Sequence, residues 1–278
     1  MTATAWDDRF FPSYDGLNLH YRDYAALHRG DRGRLPVLCL PGLTRNCRDF
    51  EVLACYLQRE RRVLSPDLRG RGRSDHDPTW QNYQPLVYLK DIEALLEDAS
   101  AERVVIVGTS LGGILAMLIG ALRASVVAGI VLNDIGPEID PIGRNRIAAY
   151  VGRTPPVASW NAAVAQSKAT YGAALPDLSE AQWHSLARRS YVDVDGLPQL
   201  DIDPMIGEAL RAAPVDTVPD LWPVFATLTT PRCLRSAACC RTCCPQRRLR
   251  ACSARSRISS QSTSLGVATH RCLMSRNA

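Results

Sequence analysis

The segment from Arg103 to Leu122 restricts the fold more than any other stretch of this chain. A β-branched apolar run, Val104-Val-Ile-Val107, leads straight into Gly108-Thr-Ser-Leu-Gly112, and an apolar stretch of helical length, Ile114 to Leu122, follows at once. This is G-x-S-x-G set between a strand and a helix, so the chain must reverse within a few residues at Ser110. A turn that tight tolerates only small residues two positions either side of the serine, and Gly108 and Gly112 stand there. The plainer role for Ser110 is a helix cap. A buried-type strand in front of it and a helix behind point instead to a nucleophile lifted on a strained turn.

The alternation of strand and helix continues on both sides. Phe10 to Tyr14 and Leu17 to Tyr24 flank Asp15-Gly16 and read as a hairpin. Leu35 to Leu40 is a buried strand ending at Pro41-Gly42-Leu43, and Arg62 to Pro66 is another, ending at the loop Asp67-Leu-Arg-Gly-Arg-Gly-Arg-Ser-Asp75. Asp49 to Arg59 and Leu86 to Ala99 have helical spacing, and Val127 to Leu132 is a further strand. Such alternation implies an α/β fold, a mostly parallel sheet with helices on both faces. From Pro141 the strand-like runs stop, and helical pieces broken by Pro, Gly and Asp continue to about Pro219. The expected division is a core over 1–140, a helical cap over 141–218, a return to the core over 219–230, and an atypical Arg/Cys-rich tail over 231–278. Trp160, Tyr171 and Trp183 in the cap suit either a substrate pocket or the packing of the cap itself.

Composition adds two constraints. No stretch reaches the roughly 18 uninterrupted apolar residues of a membrane span, and the first residues lack a basic-then-apolar leader pattern, so a soluble cytoplasmic protein without a membrane partner is expected. The net charge of +5 is unevenly spread: residues 1–220 hold 23 basic and 28 acidic residues, whereas the rest holds ten arginines and no acid. Seven of the ten cysteines also lie beyond Asp220.

With these motifs in order, the chain resembles the α/β-hydrolase fold family from about Phe10 to Leu228. Pro41-Gly42-Leu43 stands where many members carry His-Gly-x, the loop Asp67–Asp75 follows the fourth strand, Gly108–Gly112 is the nucleophile elbow, and Asn133-Asp134-Ile-Gly-Pro137 leads into the cap. The resemblance implies hydrolysis of a small ester, lactone or related carbonyl substrate by attack of Ser110, with the oxyanion held by the backbone N–H groups of Leu111 and Leu43. It implies no cofactor and no metal, and a small-molecule substrate as the partner. Gly70 and Gly72 do not complete a phosphate loop, and Arg69, Arg71 and Arg73 are expected on a solvated loop.

Members of this fold supply the acid after a late strand and the histidine near the C-terminus. Here no acid follows Asp220, the sole late histidine is His270, and Pro231 to Ala238 does not read as a strand followed by an acid turn. Asp134 is the alternative acid, and His20, His28, His76 and His184 are the remaining imidazoles. A frameshift near Leu228 to Arg232 accounts for this. Read from each codon's third base, the codons of Thr263 to Asn277 permit Val-Pro-Gly-Arg-Gly-His-Ala-Pro-Met, similar to the family's histidine loop. In the same frame Ala237 to Pro245 permits Gly-x-Leu-Ser-Asp-Leu-Leu-Ser, similar to its acid loop. The C-terminal strand and helix are then expected to be missing or disordered. Cys240-Arg-Thr-Cys243 lacks a second clean cysteine pair for zinc, and the arginines lack interleaved aromatics for nucleic acid, so neither partner is expected. Two other readings remain: a catalytically dead ligand-binding protein, and a basic-tailed nucleic-acid-interacting protein.

Overall fold

The computed structural model describes residues 5–27, 34–213 and 220–228, together with the backbone of 233–235. The hairpin forms as β1 (Asp7–Pro12) and β2 (Asn18–Tyr24), with Gly16 at φ +91° in the turn and Ser13 Oγ accepting from Leu17 N at 2.8 Å. The chain continues through β3 (Val37–Leu40), α1 (Glu51–Leu57), β4 (Val63–Pro66), α2 (Pro85–Asp98), β5 (Val104–Thr109), α3 (Leu111–Leu122) and β6 (Val127–Asn133). These strands form one sheet in the order β1-β2-β4-β3-β5-β6, parallel from β4 onward, with β1 and β2 added antiparallel at one edge.

The central strands are short, apolar and covered on both faces, as a parallel sheet requires. Every residue of β3 and β4 is buried. Helix α3 is apolar nearly all round because it is enclosed: Leu115, Ala116 and Met117 are fully buried, and Gly120 lets the helix approach Ile130 and Leu228. On the opposite face Phe50 and Ala54 pack with Tyr24, Val37, Cys39 and Val63.

The region after β6 holds α4 (Pro141–Tyr150), α5 (Trp160–Tyr171), α6 (Glu180–Ser190), β7 (Tyr191–Val194), β8 (Leu197–Leu200) and α7 (Met205–Ala212). Each long helix starts on a side-chain cap: Asp140 for α4, Ser159 for α5, and a full Ser179/Gln182 capping box for α6. Its small core joins Ala163, Val164, Trp183, Ala187 and Tyr191. The region is not purely helical as expected. Its β7–β8 hairpin turns on Asp195 and Gly196, at φ +52° and +83°, the two left-handed positions of a type I′ turn.

After α8 (Trp222–Ala226) comes a second difference from the expectation. Cys233–Arg235 forms β9, which extends the sheet parallel to β6 with Ile130 opposite Cys233 and Leu132 opposite Arg235. The rest of the Arg/Cys-rich tail, including His270, lies outside the described residues.

Candidate active site

Ser110 sits between the last residue of β5 and the first of α3 with φ +50° and ψ −114°, a backbone conformation that side chains other than glycine rarely adopt. Its surroundings hold it there. Ser110 N donates to Asn133 O at 3.1 Å, and Ser110 O accepts from Gly113 N at 2.9 Å and Ile114 N at 3.1 Å. The flanking glycines are needed for clearance: a Cβ on Gly108 would overlap the Gly112 carbonyl, and one on Gly112 would overlap the carbonyl of Leu40. Gly42 lies against the elbow, where a Cβ would stand 3.7 Å from Ser110 Cβ. Leu43 therefore follows directly on the residue that touches the serine, and Leu111 opens the helix behind it. Asp134, at φ +56°, comes just after the Thr109–Asn133 register pair, so it stands at the same end of the sheet as Ser110.

The loop after β4 corrects the sequence expectation at two of its three arginines. Arg69 and Arg71 are fully buried. Arg69 is ringed by carboxylates: Asp91 at 2.6 and 2.7 Å, Asp77 at 2.5 Å and Asp15 at 2.9 Å. Burial pushes the Asp91 carboxyl up despite the opposing pull of Arg69. Arg71 has another task. Its Nε donates to Leu43 O at 2.9 Å and its Nη1 to Arg69 O at 2.7 Å and Tyr88 Oη at 3.0 Å, so it ties the loop before the elbow to the core. Arg73 is exposed as expected and pairs with Asp8.

His20, Cys47 and Asp67 offer atoms within 4.8 Å of one another, spacing that a metal ion can use. Their chemistry does not favour one. Both His20 nitrogens are engaged, Nδ1 with Asp67 at 2.7 Å and Nε2 with Asp8 at 2.9 Å. Asp67 also accepts from the backbone N–H of Cys47 and Arg73. Burial, with Asp67 beside it, pushes the Cys47 thiol well up, away from the thiolate a metal needs. Burial would raise Asp67 too, but the hydrogen bond and charge of His20 and the two N–H donors outweigh it and hold this carboxyl below its ordinary value.

None of the imidazoles within the described residues is hydrogen-bonded to Ser110. His20 is committed to Asp67 and Asp8, and His76 is largely exposed, 3.6 Å from Asp203. His184 lies on the exposed side of α6, while His28 and His270 fall outside the described residues. Of the three aromatics in the region after β6, Trp183 packs that region's small core, Trp160 lies under Arg188 at its edge, and Tyr171 faces a small cavity that Thr44 of the loop after β3 also lines. The His20–Asp67 pair and the Arg69 ring escape sequence reading because their members lie 47 and up to 54 residues apart.

Comparisons with known proteins agree with this geometry. The model of the alpha/beta hydrolase family matches residues 37–252. A 3-hydroxybutyrate-oligomer hydrolase of Cupriavidus necator is 31% identical over 225 residues, covering 74% of this chain and 75% of that protein. The lipase LipV of Mycobacterium tuberculosis is 34% identical over 124 residues, 45% of this chain and 44% of the lipase. The crystal structure of an alpha/beta hydrolase from Novosphingobium aromaticivorans superimposes with a TM-score of 0.75 at 44% identity, over 81% of this chain and 79% of its own. Elbow, sheet order and these matches together show that the chain belongs to the alpha/beta hydrolase family.

Proposed function

We propose that this chain is built to hydrolyse a small ester, lactone or related carbonyl compound with Ser110 as nucleophile. The observation that carries this reading is the serine at φ +50° and ψ −114° on the strand–helix elbow, a sparsely populated conformation that costs of order 1–3 kcal/mol. In this reading Ser110 Oγ attacks the carbonyl carbon. The N–H groups of Leu111 and Leu43 receive the oxyanion, each supplying on the order of 3 kcal/mol to the transition state. Arg71, through Leu43 O, keeps that loop in place. The Cupriavidus relative acts on 3-hydroxybutyrate oligomers, whose units are joined by esters, which supports the same bond class here.

The base and its carboxylate are assigned to the region beyond the proposed frameshift, with Asp134 and His270 as the substitutes within the chain as written. The test compares two proteins: this chain, and one whose reading frame is corrected by a single base between codons 228 and 232. The corrected protein is expected to hydrolyse p-nitrophenyl butyrate and to lose that activity in Ser110→Ala. The chain as written should be slower by several orders of magnitude. A corrected protein that is inactive, or whose activity survives Ser110→Ala, overturns the reading. A second reading, a ligand-binding protein without turnover, is favoured for the chain as written by the lack of any histidine bonded to Ser110 among the described residues. Ligand binding without measurable hydrolysis would select it.

A further inference from the structure

The seam between cap and core contains a small cavity. Thr44 contributes from the loop after β3, and Tyr150, Ser167, Tyr171 and Tyr191 contribute from the cap, above an apolar floor of Leu200 and Ile202. The lining side chains themselves are uncharged, but the part-buried Arg45 guanidinium stands directly behind them, donating to Ser190 Oγ and reaching the Tyr171 hydroxyl. Burial pushes the Tyr191 hydroxyl up to about 12, so that group stays protonated. The centre of a water-sized guest has about 20 Å³ to move in, roughly the room of one or two waters.

Most of the hydroxyls around it are already engaged. Tyr191 Oη donates to Gln166 Oε1 at 2.5 Å, Ser190 Oγ donates to Leu186 O at 2.8 Å, and Thr170 Oγ1 donates to Gln166 O at 2.9 Å. Two groups keep unused capacity. Ser167 is 2% exposed and its Oγ makes no hydrogen bond of good geometry, although the Tyr191 hydroxyl lies beside it. Thr44 Oγ1 stands 3.4 Å from Tyr171 Oη, a stretched contact with little strength, while the Tyr171 hydroxyl is itself engaged by Arg45 and by Tyr150. A buried hydroxyl without a partner costs free energy that a fitting guest returns. Thr44 is two residues from Gly42, which lies against Ser110, so this part of the wall is within about 7 Å of chain from the elbow.

We infer that this cavity is a subsite for a short, hydroxyl-bearing branch of the ligand, as on a hydroxyacyl ester, held by Ser167 Oγ and Thr44 Oγ1. The identity of the rest of that ligand rests on the hydrolase reading. A plain alkyl branch leaves Ser167 unpaired. A long chain exceeds the space.

Binding to the full chain carrying Ser110→Ala tests this without turnover, so its failure is separable from failure of the hydrolase reading. Calorimetric titration with ethyl 3-hydroxybutyrate should give an affinity about fivefold or more above that of ethyl butyrate, the factor expected of one net hydrogen bond. Adding Ser167→Ala should abolish that preference, leave ethyl butyrate unchanged, and leave the melting temperature equal or higher. Should that variant fail to fold, Thr44→Val is the second arm and should reduce the same preference. Equal affinities for the two esters, a preference that survives Ser167→Ala and Thr44→Val, or no binding of either ester would overturn the inference and leave a cavity for water alone.

Discussion

At Ser110 the backbone holds φ +50° and ψ −114°, a conformation that suits glycine better than serine. Ser110→Gly should therefore raise the denaturant midpoint, by about 1 kcal/mol or more of folding free energy, while removing the proposed nucleophile. An unchanged or lower midpoint would mean that the surroundings, and not the residue, carry the strain. Gly112→Ala should do the opposite. The new methyl would meet the Leu40 carbonyl, which no rotamer change relieves, and a loss of about 3 kcal/mol or more is expected in urea unfolding. Asp67 sets the acid limit of this region. Its folded carboxyl lies below the unfolded value of 3.8, so its contribution is complete above about pH 4 and is lost as pH falls through the lower folded value. Stability measured from pH 6 down to pH 3 should fall steeply at the acid end, and Asp67→Asn should flatten that fall while lowering stability at neutral pH.

Among the elements, the loop after β4 is the least replaceable. Arg69→Met leaves Asp91 and Asp77 buried without their cation, and a loss of about 3–5 kcal/mol is expected, with partial recovery when Asp91→Asn is added. A double-mutant cycle by thermal unfolding measures both terms. The same loop marks the limit of what the sequence discloses. Strands, helices and elbow are legible because their signals are local: β5 reads as a buried run and α3 as an apolar helix from a handful of neighbours. Three arginines between glycines look solvated by the same local logic. Only the fold reveals that Asp15, Asp77 and Asp91, from a turn, a loop and a helix, converge on one of them. The β7–β8 hairpin was readable from its Asp195-Gly196 turn, but its flanking residues Tyr191–Val194 and Leu197–Leu200 alternate too weakly to stand out from a helical region. Ser110, Gly108 and Gly112 fall on the local side of this divide. The Ser167 subsite does not, since nothing in a serine within a helix signals that its hydroxyl will be buried without a partner.

Across the whole molecule, the segment after β8 is stitched to the arginine loop. Gly72 N donates to Asp201 O at 3.1 Å, Asp203 N to Gly70 O at 2.7 Å, and Tyr83 Oη to Asp203 Oδ2 at 2.5 Å, while Arg48 pairs with Asp201. The loop after β3 is tied across the seam as well: Arg45 donates to Ser190 Oγ, Asn46 Nδ2 donates to Arg189 O at 3.0 Å, and Arg189 pairs with Asp49 at 3.5 Å, while Thr44 and Tyr171 meet only at 3.4 Å. Amide exchange at Gly72 and Asp203 should accordingly be slow, approaching the global unfolding limit, and faster along α5. A roof riveted to its walls on both sides is not expected to swing as one piece, and added salt, by weakening the paired charges among those rivets, should loosen it.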